Sequence, residues 1–264
     1  MITARRRGPG ERLLLAADGV PVLARHSLAP GGARELAFVV AHGFTGSSSG
    51  TVARGMARVL ARAAGVVAFD FRGHGGSGGL STVGDLEVLD LAAAAGWARL
   101  LGYRRIVPVG FSLGAGVAVR YAALVAGTPD AVDAVVAVSA PSRWHYRGTR
   151  PMRLLHRGIE TPIGRRVLAA GYGTRVAPRG WDPWPEPPDA LAGRVAPAPL
   201  LVVHGDADRY FPLDHPRWLV EAARGPVELW VEPGFGHAEA AATPELVERV
   251  AAWVLHQAVL QPLS

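Results

Sequence analysis

Cysteine is absent from the 264 residues. That excludes disulfides, thiolate metal sites and a cysteine nucleophile. Lysine is absent too, so all 28 basic residues are Arg. Beside abundant Ala, Gly and Pro, this is a bias of composition rather than the mark of an Arg-specific function. Long apolar runs are missing, and none approaches the roughly 18 residues of a membrane span. The start, MITARRRGPGERLLLAADG, has a basic head, but its apolar run is only Leu13 to Ala17, flanked by Glu11 and Asp18. That is too short for a secretory signal and predicts a cytoplasmic protein. Stacking aromatics interleaved with Arg are missing, as is any nucleic-acid motif. The formal charge of +6 therefore does not point to nucleic acid. No spacing of His, Asp and Glu suggests a metal site, and no cofactor is expected.

What is present is a chain with 49% apolar residues, enough for a substantial core. Residues 12–28 read as two strands joined at Asp18-Gly19, a favoured hairpin turn. ELAFVVAH (35–42), GVVAFDF (65–71), RIVPVGF (105–111), AVVAVSA (134–140), PLLVVHG (199–205) and 226–232 read as further strands. Helices are expected over 51–64, 85–101, 113–126, 213–223 and 244–258. Alternating strands and helices predict an α/β protein with a mostly parallel eight-stranded sheet covered on both faces. Roughly sixty residues, 141–198, break the rhythm. They are too long for a simple connection and are expected to form an inserted cap, leaving 1–140 and 199–264 as the core.

Three stretches share the pattern G-x-S-x-G: GSSSG at 46–50, GGSGG at 75–79 and GFSLG at 110–114. A serine nucleophile on a sharp turn needs a buried strand directly before it and a helix directly after. Only Ser112 has both, with Gly110 and Gly114 supplying room for strand and helix to approach. Ser48 and Ser77 read as members of flexible or Gly-rich loops. A serine hydroxyl also needs a base, and the base an orienting carboxylate. His237 lies in a loop between the last strand and the final helix. Asp206 and Asp208 lie in the loop after strand 199–205. The order Ser, Asp, His is then that of the hydrolase elbow motif.

These residues resemble the α/β-hydrolase superfamily, most closely its carboxylesterases and monoacylglycerol-lipase-like members. The resemblance rests on HGFTG (42–46), DFRGHGGS (70–77), GFSLG, HGDADRYFP (204–212) and GFGHAE (234–239), and spans the chain except 141–198. It implies Asp208 as the triad acid, through the H-G-x-x-D pattern of His204, Gly205 and Asp208, with Asp206 supporting the loop. It implies an oxyanion hole of the Phe44 and Leu113 N–H groups, and a structural part for Arg72 and His74.

The expected reaction is hydrolysis of a small-molecule carboxylic ester through an acyl-enzyme at Ser112. Thioesterase, peptidase or acyltransferase activity would use the same residues, and a receptor with little turnover remains open. The oligomeric state is not legible. Trp144, Tyr146, Tyr172, Trp181 and Trp184 could line an apolar acyl pocket or anchor the cap's own small core. Segment 141–198 holds ten Arg and four acids, so all the net charge sits there. That charge is either a solvated face or an attraction for an anionic or lipid-like substrate.

Overall fold

The computed structural model describes residue 8 and residues 10–260. The basic head at 1–7 lies outside the described residues. Strands β1 (Glu11–Leu15) and β2 (Pro21–Ser27) form the antiparallel hairpin expected around Asp18-Gly19. Gly19 has a φ of 79°, which a side chain would strain. Strands β3 (Leu36–Ala41), β4 (Gly65–Phe69), β5 (Arg105–Phe111), β6 (Val135–Val138), β7 (Leu200–Gly205) and β8 (Val227–Glu232) complete one eight-stranded sheet. Its order is β1-β2-β4-β3-β5-β6-β7-β8, and β3 to β8 are mutually parallel.

Every residue of β3 to β7 is buried. Side chains alternate between faces along each strand, so a continuous apolar run serves two cores at once. Ala37, Val39 and Ala41 face helices α2 (Glu87–Leu100) and α3 (Leu113–Val125). Leu36, Phe38 and Val40 face α1 (Thr51–Leu60) and α9 (Pro244–Leu260). Among the described residues no helix is long and apolar enough to cross a membrane.

The crossovers from β3 and from β5 leave in opposite directions, to β4 on one side and β6 on the other. Open α/β sheets leave a crevice at such a reversal, outside the carboxyl ends of the strands. Here that places the residues after β3, His42-Gly43-Phe44, beside Ser112 after β5.

The segment between β6 and β7 has two parts. Helices α4 (Arg150–Glu160) and α5 (Pro162–Tyr172) form a hairpin. Each begins with a Thr N-cap and an early Pro, and α5 ends at Gly173 with φ 66°. The two helices cross at glycines: a Cβ on Gly164 would sit 2.5 Å from Gly158 Cα. The second part, around α6 (Pro188–Leu191), packs on α3 and contributes fully buried Leu191 to the main core. Helix α7 (Asp214–Ala222) follows β7, and the short α8 (Ala238–Ala241) follows β8.

Candidate active site

Ser112 stands between the last residue of β5 and the first of α3, with φ 50° and ψ −116°. Such a backbone is strained for any residue but Gly, and it holds only because strand and helix are pinned on either side. The pinning is tight. A Cβ on Gly110 would lie 2.2 Å from Gly114 O, and one on Gly114 would lie 2.3 Å from Ala41 O. These are backbone atoms that cannot yield, so both glycines are required by close approach.

His237 Nε2 lies 2.9 Å from Ser112 Oγ, and His237 Nδ1 lies 2.7 Å from Asp208 Oδ2. A carboxylate can only accept, so Nδ1–H donates to Asp208 and Nε2 is left to accept the serine proton. The Asp208 side chain is fully buried. Burial raises its carboxyl pKa, but the hydrogen bond from His237 and the N–H groups of Phe211 and Tyr210 outweigh it and hold it below the usual value. The Tyr210 ring lies against His237, at 4.5 Å between centroids. Asp206 stands apart, exposed, and its Oδ1 accepts from Gly234 N at 2.7 Å in the loop leading to His237.

The loop after β3 is held on both sides of Phe44. His42 Nε2 accepts from Phe71 N at 3.0 Å, and its Nδ1 donates to Gly43 O at 2.7 Å. Burial pushes the His42 pKa down to about 4, aided by neighbouring His74, so the ring is neutral and keeps that tautomer. His74 bonds the Phe44 carbonyl oxygen and Arg72 O. Arg72 is itself buried in bonds to Asp90 and Asp18. The DFRGHGGS stretch is thus a brace under the loop. The Leu113 N–H opens α3 and has no intrahelical acceptor.

Two groups at the site were not legible in the sequence. Glu239 Oε1 accepts a hydrogen bond from Gly43 N, joining the His237 loop to the β3 loop. Burial raises its carboxyl pKa against the opposing bond from Gly43. Ser139, at the end of β6 with φ 51°, accepts from Ala238 N at 3.0 Å through its Oγ and steadies the residue after His237. A short polar residue at a strand end carries no signal that distinguishes it from any loop serine.

Ser48 and Ser77 lie in loops, as expected, but their side chains are held rather than free. Both are buried and hold Asp70: Ser48 Oγ donates to its carboxylate at 2.6 Å, and Ser77 Oγ donates to its carbonyl oxygen. Neither touches His237. A second Ser–His pair exists, Ser142 Oγ to His215 Nδ1 at 2.9 Å. It lacks what the first has. Ser142 N also donates to that nitrogen at 3.1 Å, His215 Nε2 has no partner among the described residues, and both side chains are sealed from solvent. It ties the start of the inserted segment to α7.

A cavity of about 1040 Å³ opens beside Ser112 and His237, at the upper end of the range usual for ligand pockets. Its far wall is the α4–α5 hairpin, through Met152, Leu154, Leu155, Ile163, Val167 and Leu168. Of the five aromatic residues that could line such a pocket or anchor the segment's own core, only Tyr172 lines it. Indole N–H groups need acceptors, and those of Trp144 and Trp181 find Glu186 O and Thr82 O away from the cavity. Trp184 stacks edge-on against Trp181, and Tyr146 against His215. Trp144, Tyr146 and Trp181 brace the β6–β7 segment against the body of the protein, while Trp184 packs within that segment, on Trp181 and His145. The lining was instead encoded in the apolar stripe of 151–168, where Leu154 and Leu155 alternate with Arg.

Among the described residues one cluster has metal-ligating atoms close together, His145, His156 and Glu160. Arg147 bonds both Glu160 oxygens. A guanidinium already neutralises that carboxylate, so the cluster does not fit a cation.

A family model described as the alpha/beta hydrolase fold matches residues 37–153. No curated protein sequence matches the chain. An esterase of Pyrococcus furiosus is similar in structure, with 24% identity over 93% of this chain and 91% of that one, at a TM-score of 0.71. Est1E from Butyrivibrio proteoclasticus, with ferulic acid bound, is 17% identical over 95% and 100%, at 0.68. A Xanthomonas campestris protein described as an a/b serine hydrolase without lid is 22% identical over 96% and 95%, at 0.61. Strand order, the turn at Ser112 and these likenesses agree: the chain has the α/β-hydrolase fold.

Proposed function

We propose that this chain is a serine hydrolase that cleaves carboxylic esters through an acyl-enzyme at Ser112. The observation that carries the reading is the unbroken line of hydrogen bonds from Ser112 Oγ through His237 to buried Asp208. His237 Nε2 takes the proton of Ser112 Oγ as that oxygen attacks the ester carbonyl carbon. The carbonyl oxygen becomes an anion and is met by the N–H groups of Phe44 and Leu113. His237 then gives its proton to the leaving alkoxide, which departs as the alcohol. A water deprotonated by His237 attacks the acyl carbon, the bond from that carbon to Ser112 Oγ breaks, and His237 returns the proton to Oγ as the acid leaves.

The apolar cavity supports a hydrocarbon acyl group, with the α4–α5 hairpin of the 141–198 insertion acting as its cap. The neighbours whose descriptions name esterase activity agree with ester over amide. A panel of p-nitrophenyl esters of rising acyl length, with a thioester and an aminoacyl amide included, tests this. Turnover of the esters that disappears in Ser112→Ala supports it. Preference for the thioester or amide would replace the substrate class, and turnover that survives Ser112→Ala would replace the nucleophile.

A further inference from the structure

The mouth of the cavity carries apolar side chains that no described residue covers. Leu154 is 69% exposed, Ile163 72%, Val167 58% and Tyr172 63%, and all four line the cavity. Val52, at the start of α1 on the opposite lip, is exposed as well. Exposed apolar residues are ordinary singly, but a contiguous set around an opening marks a contact surface.

The same helices carry five arginines against one acid, Glu160. Of the four acids in 141–198, Glu160, Asp189 and Glu186 are each paired with an arginine, Arg147, Arg143 and Arg194, and Asp182 makes no ion pair among the described residues. Among the described residues, Arg150, Arg153, Arg157, Arg165, Arg166, Arg175 and Arg179 make no ion pair. Residues three and four apart are neighbours on a helix. Leu154 is therefore bracketed by Arg150 and Arg157, and Ile163 has Arg166 beside it. Arg150, Arg153, Arg157 and Arg166 are exposed. Arg153 and Arg165 each place the guanidinium on carbonyl oxygens, those of Arg147 and Gly148 for the first and of Ile159 and Glu160 for the second.

Apolar side chains ringed by unpaired cations are the pattern of a helix that lies in a membrane interface. We infer that the α4–α5 hairpin docks the mouth of the cavity on an anionic lipid surface, with Leu154, Ile163, Val167 and Tyr172 entering the headgroup–acyl boundary. The arginines bind lipid phosphates and carboxylates, and the cavity then opens directly onto the acyl chains. A soluble polyanion would satisfy the arginines but leave the apolar rim in water, so charge and apolarity together favour lipid. The inference extends the ester-hydrolase reading, yet docking is measurable without turnover.

The test is co-sedimentation of the full chain with vesicles of phosphatidylcholine alone and with added phosphatidylglycerol. Binding should require phosphatidylglycerol and weaken as salt rises. Each arginine neutralised near an anionic surface is worth roughly fivefold. Arg150→Glu with Arg166→Glu should thus lower partitioning by about a hundredfold or more, while hydrolysis of a short water-soluble ester is unchanged. In Ile163→Trp, otherwise equal in fold by circular dichroism, the new indole's emission should shift to the blue on the anionic vesicles. Three results would overturn docking. They are no binding to the anionic vesicles, equal binding to both compositions, or an unshifted Ile163→Trp emission in a chain that binds duplex DNA as tightly. Vesicle binding without turnover of any soluble ester would instead sink the hydrolase reading and leave docking intact.

Discussion

Asp208→Asn separates the two aspartates of the loop after β7, and the structure says how it fails. Asp208 Oδ1 accepts from Tyr210 N at 2.8 Å and Phe211 N at 3.1 Å, while Oδ2 takes His237 Nδ1. An Asn keeps the two backbone donors only with its oxygen at the Oδ1 place. Its NH₂ then faces Nδ1, which must turn acceptor, and the imidazole proton moves to Nε2, where the base is needed. The lost charge adds to this. A carboxylate about 4 Å from an imidazolium at an effective dielectric of about 20 is worth about 4 kcal/mol, or roughly a thousandfold in rate. With the wrong tautomer the loss should reach about 10³–10⁴-fold in kcat. Asp206→Asn retains an acceptor for Gly234 N in an exposed turn and should lose less than about tenfold, the loop contact being kept. The assay is kcat and KM on the best ester of the panel, with thermal unfolding to show both variants folded. An Asp208→Asn enzyme within tenfold of the parent, or an equal loss at Asp206, would refute the reasoning.

Glu239→Ala should lower kcat more than it changes KM, because it frees Gly43 beside the proposed Phe44 donor. Glu239→Gln keeps an acceptor and should restore most of the loss; equal defects in both would reassign Glu239. Arg72→Ala strands Asp90, whose pKa burial already raises to about 6, and should destabilise the fold by about 3–5 kcal/mol in urea unfolding. A change under ~1 kcal/mol would show that the pair is not a brace. Burial also pushes the buried His42 and His215 down to about 4. The unfolded chain protonates them near pH 6.5 and the folded chain does not, so stability is full above that pH and falls from there toward pH 4, by up to about 3 kcal/mol for each histidine. A urea midpoint flat from pH 7 to 4.5 would contradict this.

The sheet was legible because parallel strands buried on both faces spell continuous Val, Ala and Phe runs, as in LAFVVA and VVAV. The turn at Ser112 was legible because its geometry admits only small residues at 110 and 114. The cavity wall was not. Bulk and aromaticity single out Trp144 and Trp181, but an indole N–H is satisfied first, and their acceptors lie elsewhere. Long-range hydrogen bonds such as Gly43 to Glu239 join residues 196 positions apart. No local pattern encodes such a bond. The same holds for Ser48 and Ser77, whose Gly-rich settings hide their shared attachment to Asp70.

Ser112 is the proposed attacking group, and one measurement tests that role most directly. The full chain is treated with a fluorophosphonate probe and digested, and the modified peptide is sequenced by mass spectrometry. One adduct per chain at Ser112, absent from Ser112→Ala and slowed in Asp208→Asn, is the predicted result. An adduct at Ser142 or another serine, with Ser112 unmodified while ester turnover stops, would contradict it.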